Sequence, residues 1–345
     1  MTREFAGLSR YVARALFVSA AFFTAGCASR PLDVPAASDL QCGTPAASKQ
    51  WHSTLLRYGN GVYRIAGDGT ALVVATDGGV PQRSVDGGEL WDSVGSPGLR
   101  SVAGGDGRFI GIGDGGLCTS SDHGLSFDKR DGPAPGHEAV VAISGTSSYI
   151  ASTLPAFFAS HDGKAFELEE LPGVATSISP AVWSSGNERV LVGAAIPSVT
   201  PSRRVPGVLR SSDGGSTFTT WQASEDLAGC QVRGLWGRGD SEAYLVASGC
   251  EQSNLVLRSL DGGTSFAPTP TSTIPNEVQL VDVRGNARGE LVAVGFHGAM
   301  YYSNDRGDSF IALPQVVDAL LFSVWVGECG EIVAVSTDGD VVFGR

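Results

Sequence analysis

The chain has 345 residues, with 36 acidic against 24 basic side chains and a formal net charge of −12. A chain this acidic, with no basic tract, argues against a nucleic-acid partner. Glycine fills 47 positions, beside Asp, Asn and Ser and without a short period, which suits many tight turns rather than disorder.

Residues 1–26 carry a basic start (Arg3, Arg10, Arg14), an apolar run from Ala15 to Phe23 and then small residues. The run is too short to span a bilayer as a mature helix and reads as a secretory signal; a membrane anchor or core helix is the other reading. "TAGC", ending at Cys27, resembles a bacterial lipobox. That resemblance implies cleavage before Cys27, lipid on Cys27 and attachment to the cell envelope. Ala28 after it implies an outer-membrane destination where the host has one. Cleavage leaves 21 basic and 35 acidic residues, or −14. Residues 27–49 are rich in Pro, Ala and Ser, as a tether is.

From residue 50 onward the chain repeats itself. "SVDGGELW", "SSDHGLSF", "SSDGGSTF", "SLDGGTSF" and "SNDRGDSF" share a Ser-x-Asp-x-Gly-x-x-aromatic spacing, and "SHDGKAF" is one residue shorter. A stump, "STDGDVVF", begins at Ser336. The aspartates are Asp86, Asp122, Asp162, Asp213, Asp261, Asp305 and Asp338, at intervals of 33 to 51 residues, the signature of a propeller, solenoid or array. Within one period, "VQLVDVRGN", "ELVAVGF", "AMYYSND" and "DSFIAL" read as a four-stranded antiparallel meander. The box then falls in the turn from third to fourth strand, where Ser and Asp satisfy backbone N–H groups and Gly accepts positive φ. Its aspartate is expected to be structural.

These boxes resemble the Asp-box (BNR) repeat of sialidases, sortilin-type receptors, two-propeller xyloglucanases and photosystem II assembly factors. The resemblance implies an all-β propeller of four-stranded antiparallel blades over residues 50–345, and counting first strands sets the number of blades at seven. The runs are "GVYRIAG", "LRSVAGG", "AVVAISG", "PAVWSSG", "VRGLWG", "LVDVRG" and "FSVWVG". The last repeat stops after its third strand. "KQWHSTLL", with Trp51 at the aromatic position, is expected to supply the fourth and close the ring; a plain linker is the alternative.

Cys230 and Cys250 flank two strand-like runs around "GRGDSE", so a hairpin places them opposite each other for a disulfide. Cys42 before the closing strand and Cys329 in "GECGE" form a weaker second pair, leaving Cys118 odd. The five His show no metal spacing and the Cys form no CxxC pair, so no metal or cofactor is expected. "GIGDGG" lacks a following helix and reads as a hairpin rather than a dinucleotide loop.

The enzymatic alternative is a sialidase-like glycoside hydrolase, whose family binds a carboxylated sugar through three central arginines beside a Tyr/Glu pair. Arg64 stands near that family's first-blade motif, without its proline, and Arg100 and Arg233 have equivalent places at the start of inner strands. Two readings stay open: guanidinium groups solvated along the channel wall, or gathered on an anionic ligand. No Tyr/Glu pair accompanies them, so no catalytic residue is assigned. A two-propeller xyloglucanase needs a second domain. The favoured expectation is a monomeric, non-catalytic scaffold for a protein or glycan. Its candidate contact is the long connection "AAIPSVTPSRRVPGVL", with Arg203 and Arg204.

Overall fold

The computed structural model describes residues 46–344 except 57–60, 77–79, 96–97, 114–115, 133–138, 145, 153–155, 174, 176, 187, 201, 251–254 and 271–272. They form seven four-stranded antiparallel sheets. Six are meanders in chain order. Their inner strands are Val62–Gly67, Ser101–Gly105, Ala139–Ser144, Ser177–Ser185, Gln231–Arg238 and Leu280–Gly285, and Leu321–Val326 serves the seventh. Each inner strand packs against those of both neighbouring blades, and the seventh meets the first, so the ring is closed.

Burial explains the strand compositions. Second strands lie between two neighbouring blades, and Leu72–Thr76, Glu242–Ser248, Leu291–Gly295 and Ile332–Ser336 are buried at every position. Such strands are near-continuous apolar runs rather than alternating ones. Fourth strands form the rim, and Asp92–Ser93, Asp128–Arg130 and Ala267–Pro268 are exposed throughout. The "GIGDGG" segment is a hairpin, with Gly113 paired to Gly116.

The seventh blade takes its outer strand from the other end of the chain. Trp51–Leu55 pairs antiparallel with Asp340–Gly344, from Trp51 opposite Gly344 to Leu55 opposite Asp340. Packing starts before this strand: Ala46, in a 3-10 turn over Ala46–Ser48, is 1% exposed within the core of the sixth and seventh blades. Residues 1–45, including Cys27 and Cys42, lie outside the described residues. Among the described residues no helix is long and apolar enough to cross a membrane.

Candidate functional site

Strand direction gives the disc two distinct faces. Inner strands begin on a front face, which carries the turns from second to third strand. They end on a box face, which carries the turns from third to fourth. On the box face six Ser–Asp pairs repeat one geometry. The hydroxyls of Ser84, Ser120, Ser160, Ser211, Ser259 and Ser303 donate to the next-but-one aspartate at 2.7–3.2 Å. In the five full-length boxes the same oxygen accepts the N–H of Gly88, Gly124, Gly215, Gly263 or Gly307 at 2.7–3.0 Å.

The aspartate closes the turn by accepting further amides, such as that of Ser126 on Asp122 or Thr217 on Asp213. The Ser126 hydroxyl holds Asp122 at a pKa of about 2, and the Thr217 hydroxyl does the same for Asp213. At Asp261 partial burial opposes ionisation, but hydrogen bonds from Ser265, Ser259 and Thr264 outweigh it and again give about 2. These carboxylates are consumed by their own turns.

The stump departs from this pattern. Ser336 and Asp338 lie between the second and third strands of the seventh blade, on the front face. There the Ser336 hydroxyl donates to Asp340, not to Asp338. The grouping of Asp338 with the other six aspartates is therefore corrected. The reason is topological: in this blade the turn from third to fourth strand is replaced by the two ends of the chain.

The candidate arginines separate as well. Inner strands of five blades carry a register shift near their start, among them Val62/Arg64, Val232/Gly234, Leu280/Asp282 and Leu321/Ser323. One extra residue changes which side each neighbour faces. Arg233 is itself the bulged residue. Its Nη2 is 3.3 Å from the position a β-carbon on Gly249 would take, so it lies along its own blade near the disulfide. Arg100 precedes its inner strand. Arg64 lies beyond its bulge and is 9% exposed, with its guanidinium over the Phe322 ring at 5.2 Å. The sequence-level equivalence of the three does not hold.

What Arg64 meets is a residue that sequence reasoning passed over. Asp282 is fully buried. Its Oδ1 accepts the Val283 amide at 3.0 Å and lies 3.4 Å from Arg284 Nη2. Its Oδ2 accepts the Ser323 hydroxyl at 3.3 Å and the Val324 amide at 3.4 Å. Burial lowers the pKa of Arg64, Asp282 counters it, and Arg284 lowers it further. A buried carboxylate with this many partners ties the sixth blade to the seventh, and the Ser323 hydroxyl that it holds also accepts the Ile65 amide of the first blade at 3.5 Å.

Toward the box face the channel holds a cavity of about 240 Å3. Pairing registers align one wall position in every blade: Ala66, Ala103, Ala142, Trp183, Trp236, Arg284 and Trp325. Blades one to three are small there, and blades four to seven are large. The indoles of Trp183, Trp236 and Trp325 overlie Gly237, Gly285 and Gly67 of the following blades, where a β-carbon would come within 2.5–2.8 Å of the rings. The Arg189 guanidinium backs Trp183 at 4.8 Å from the ring, and its own pKa is pushed down to about 10 by burial and Arg210, against Asp240. Arg284 Nη1 donates to the Leu235 carbonyl at 2.6 Å. Ser184 in the same wall is 8% exposed, and its Oγ has no hydrogen-bond partner among the described residues.

On the front face the fourth blade stands out. Its long connection is mostly strand: Arg189–Pro197 pairs with Arg204–Ser211 through eight successive residue pairs, and the Ser198 amide donates to the Arg203 carbonyl at 3.2 Å beyond them. Glu225 braces the tip, accepting the Ser198 hydroxyl at 2.5 Å and the Val199 amide at 3.1 Å. Arg203 and Arg204 are exposed at the tip. Beside it, Cys230 and Cys250 form a disulfide with 4.6 Å between their Cα atoms. Cys329 is also disulfide-bonded, to a partner outside the described residues, and Cys118 is free and buried. Among the described residues no three His, Cys, Asp or Glu converge as metal ligands.

No family model and no curated protein sequence matches the chain. Solved structures do. YCF48 bound to a D1 peptide matches at 14% identity and TM-score 0.66, over 91% of this chain and 99% of that one. A streptogramin B lyase matches at 11% identity and TM-score 0.65, over 88% of this chain and all of that one. The GH74 xyloglucanase from Xanthomonas campestris matches at 15% identity and TM-score 0.60; 85% of this chain covers 53% of the enzyme. At these identities the likeness is one of fold: a seven-bladed propeller shared by enzymes and a peptide-binding protein.

Proposed function

We propose that this chain is an exported propeller, lipid-anchored to the cell envelope through Cys27, that binds an acidic protein or anionic glycan through its front face without catalysis. The observation that supports this most is the hairpin of the fourth blade. It is a paired and braced projection whose tip exposes Arg203 and Arg204 beside Val199, which is 84% exposed. A rigid apolar tip flanked by guanidinium groups suits a partner surface of opposite charge. On a chain of net charge −12 such a tip is a local inversion of sign, and its attraction weakens as salt screens it. The peptide held by YCF48 is a precedent for the fold in binding.

The sialidase-like alternative needs guanidinium groups converging on one carboxylate. The burial of Arg64 over the Phe322 ring and the position of Arg233 against Gly249 weigh against it. Binding to polyglutamate peptides and sulfated glycans, compared between wild type and Arg203→Ala/Arg204→Ala, tests the proposal. A loss of about tenfold and a steep salt dependence are expected; equal binding by both proteins overturns it. Turnover of a fluorogenic sialoside, lost in Arg233→Ala, would establish the glycosidase instead. Fatty-acid labelling of wild type but not Cys27→Ser tests the anchor.

A further inference from the structure

We propose that the Cys230–Cys250 disulfide is a redox switch for the tip of the fourth-blade hairpin; its consequence for binding rests on the front-face reading above. The hairpin outruns its own blade. The outer strand Thr219–Gln222 pairs with the third only as far as Gly207 opposite Gln222, and the Ala223 amide adds a bond to the Pro206 carbonyl at 2.9 Å. Past that point no strand of the described residues flanks Arg204 and Val205 on their outer side. A short brace takes the strand's place.

The brace runs from Glu225 to Cys230 and opens with a 3-10 turn over Glu225–Leu227. Its Glu225 carboxylate accepts the Ser198 hydroxyl and the Val199 amide from one arm of the hairpin. Its Gly229 amide donates to the Arg204 carbonyl of the other arm at 2.7 Å. Leu227 is 5% exposed, in one core cluster with Ile196 and Val205 at the base of the tip. Together these contacts fix the backbone that carries Val199, Arg203 and Arg204.

What clamps the brace is the disulfide. Pairing between the first two strands of the fifth blade ends at Gln231 opposite Ser248, and Cys230 and Cys250 lie just beyond that last pair. Gly229 is in the left-handed region at φ +102°, and a β-carbon on it would lie 4.0 Å from Cys250 Cβ. The bond to Arg204 thus starts one residue from the bridge. Cys230 is buried and Cys250 half-buried. A dithiol reductant passes two electrons and two protons to the bridge: the S–S bond breaks, two S–H groups form, and the dithiol closes to its own disulfide. The brace then loses its clamp, and the tip loses the pre-organisation that favours binding.

Arg203 and Arg204 make the tip its own reporter, because trypsin cleaves after arginine and needs a locally opened chain. The full chain, oxidised or reduced with dithiothreitol, would be compared with Cys230→Ser/Cys250→Ser without reductant, which keeps the bridge at Cys329. Well below the melting transition, nicking at 203–204 should be about tenfold faster in both bridge-free forms. Their binding to polyglutamate should be about fivefold weaker. Glu225→Ala with the bridge intact should be nicked as fast, and opening the bridge in that variant should add little, since both changes act through one brace. Slow nicking of both bridge-free forms overturns the switch. So does a further, additive acceleration in Glu225→Ala, or measurable and equal polyglutamate binding with and without the bridge. Faster nicking of a chain that binds no polyglutamate in either state upholds the switch and overturns the front-face reading instead.

Discussion

The box turns and the channel wall are built from the same repeats, yet one is uniform and the other is not. Six turns use the same Ser–Asp bond. The wall position one strand-length inward runs Ala, Ala, Ala, Trp, Trp, Arg, Trp around the ring. The turn has a fixed task, because each must close its own hairpin and seat it on the preceding blade. The wall position has no such task, so its side chains are free to divide the channel into a small half and a large half. Repetition marks what holds the propeller together, and its breakdown marks where the blades differ from one another.

The sharpest way to break that contrast is to alter a uniform element. Gly263 has φ +90°, and a β-carbon there would lie 2.7 Å from Leu191 Cδ2 in the blade before it. Gly263→Ala combines a left-handed backbone with overpacking of a fully buried leucine, and should destabilise the fold by about 4 kcal/mol. Chemical denaturation would read this as a lower midpoint; an unchanged midpoint would mean that the boxes do not couple blades.

Next in size is an irregular element on the other face. The Cys230–Cys250 bridge spans 20 residues of sequence and ties the front end of the fifth blade, next to the extended hairpin of the fourth. Replacing both cysteines with Ala should cost about 3 kcal/mol through loop closure. Thermal unfolding of wild type with and without reductant, beside the double variant, separates this bridge from the one at Cys329.

The legibility of the sequence divides along the same line. The boxes are readable because Ser, Asp and Gly are each required by turn chemistry at a fixed spacing, and so blade count and the closing strand at Trp51 follow from them. The wall is less readable. Trp183, Trp236 and Trp325 each fall late in a first-strand run, in "AVWSSG", "GLWG" and "SVWVG", but three, one and two residues before the following glycine, so only the pairing registers align them. The direction of Arg64 against Arg233 is not readable either, because it depends on bulges that leave no mark in composition. Asp282 carries no sequence signal for burial; only the meeting of three blades makes it a buried anion.

A smaller effect follows from the box carboxylates. Asp122, Asp213 and Asp261 titrate at about 2 in the fold against an ordinary value of 3.8. Their folded-state pKa values are depressed, so their contribution is present above about 3.8 and is lost as pH falls toward about 2. The thermal midpoint should fall across that window. A triple Asp→Asn variant at these positions should start lower at neutral pH and lose less on acidification. Parallel curves for the two proteins would assign the acid sensitivity elsewhere.

The smallest effect is the one that best isolates geometry from sequence. Asp305 and Asp338 both sit two residues after a serine, and only their turns differ. Asp305 accepts the Ser303 hydroxyl at 2.7 Å, the Ser309 amide at 2.9 Å and the Ser309 hydroxyl at 2.5 Å. At Asp338 the Ser336 hydroxyl is turned away to Asp340 at 2.9 Å, and only a 3.4 Å contact with the adjacent Thr337 hydroxyl reaches its carboxylate. Asp305→Ala therefore removes a closing staple and should cost about 1–2 kcal/mol. Asp338→Ala removes an exposed side chain from a turn already held by Ser336 accepting the Asp338 and Asp340 amides, and should fall within about 0.5 kcal/mol of wild type. Equal losses at the two positions, measured by the same denaturation, would mean that the box sequence stabilises wherever it occurs. A loss at Asp305 alone ties its value to the turn between third and fourth strands, the turn that the seventh blade gives up when it closes the ring with Trp51–Leu55.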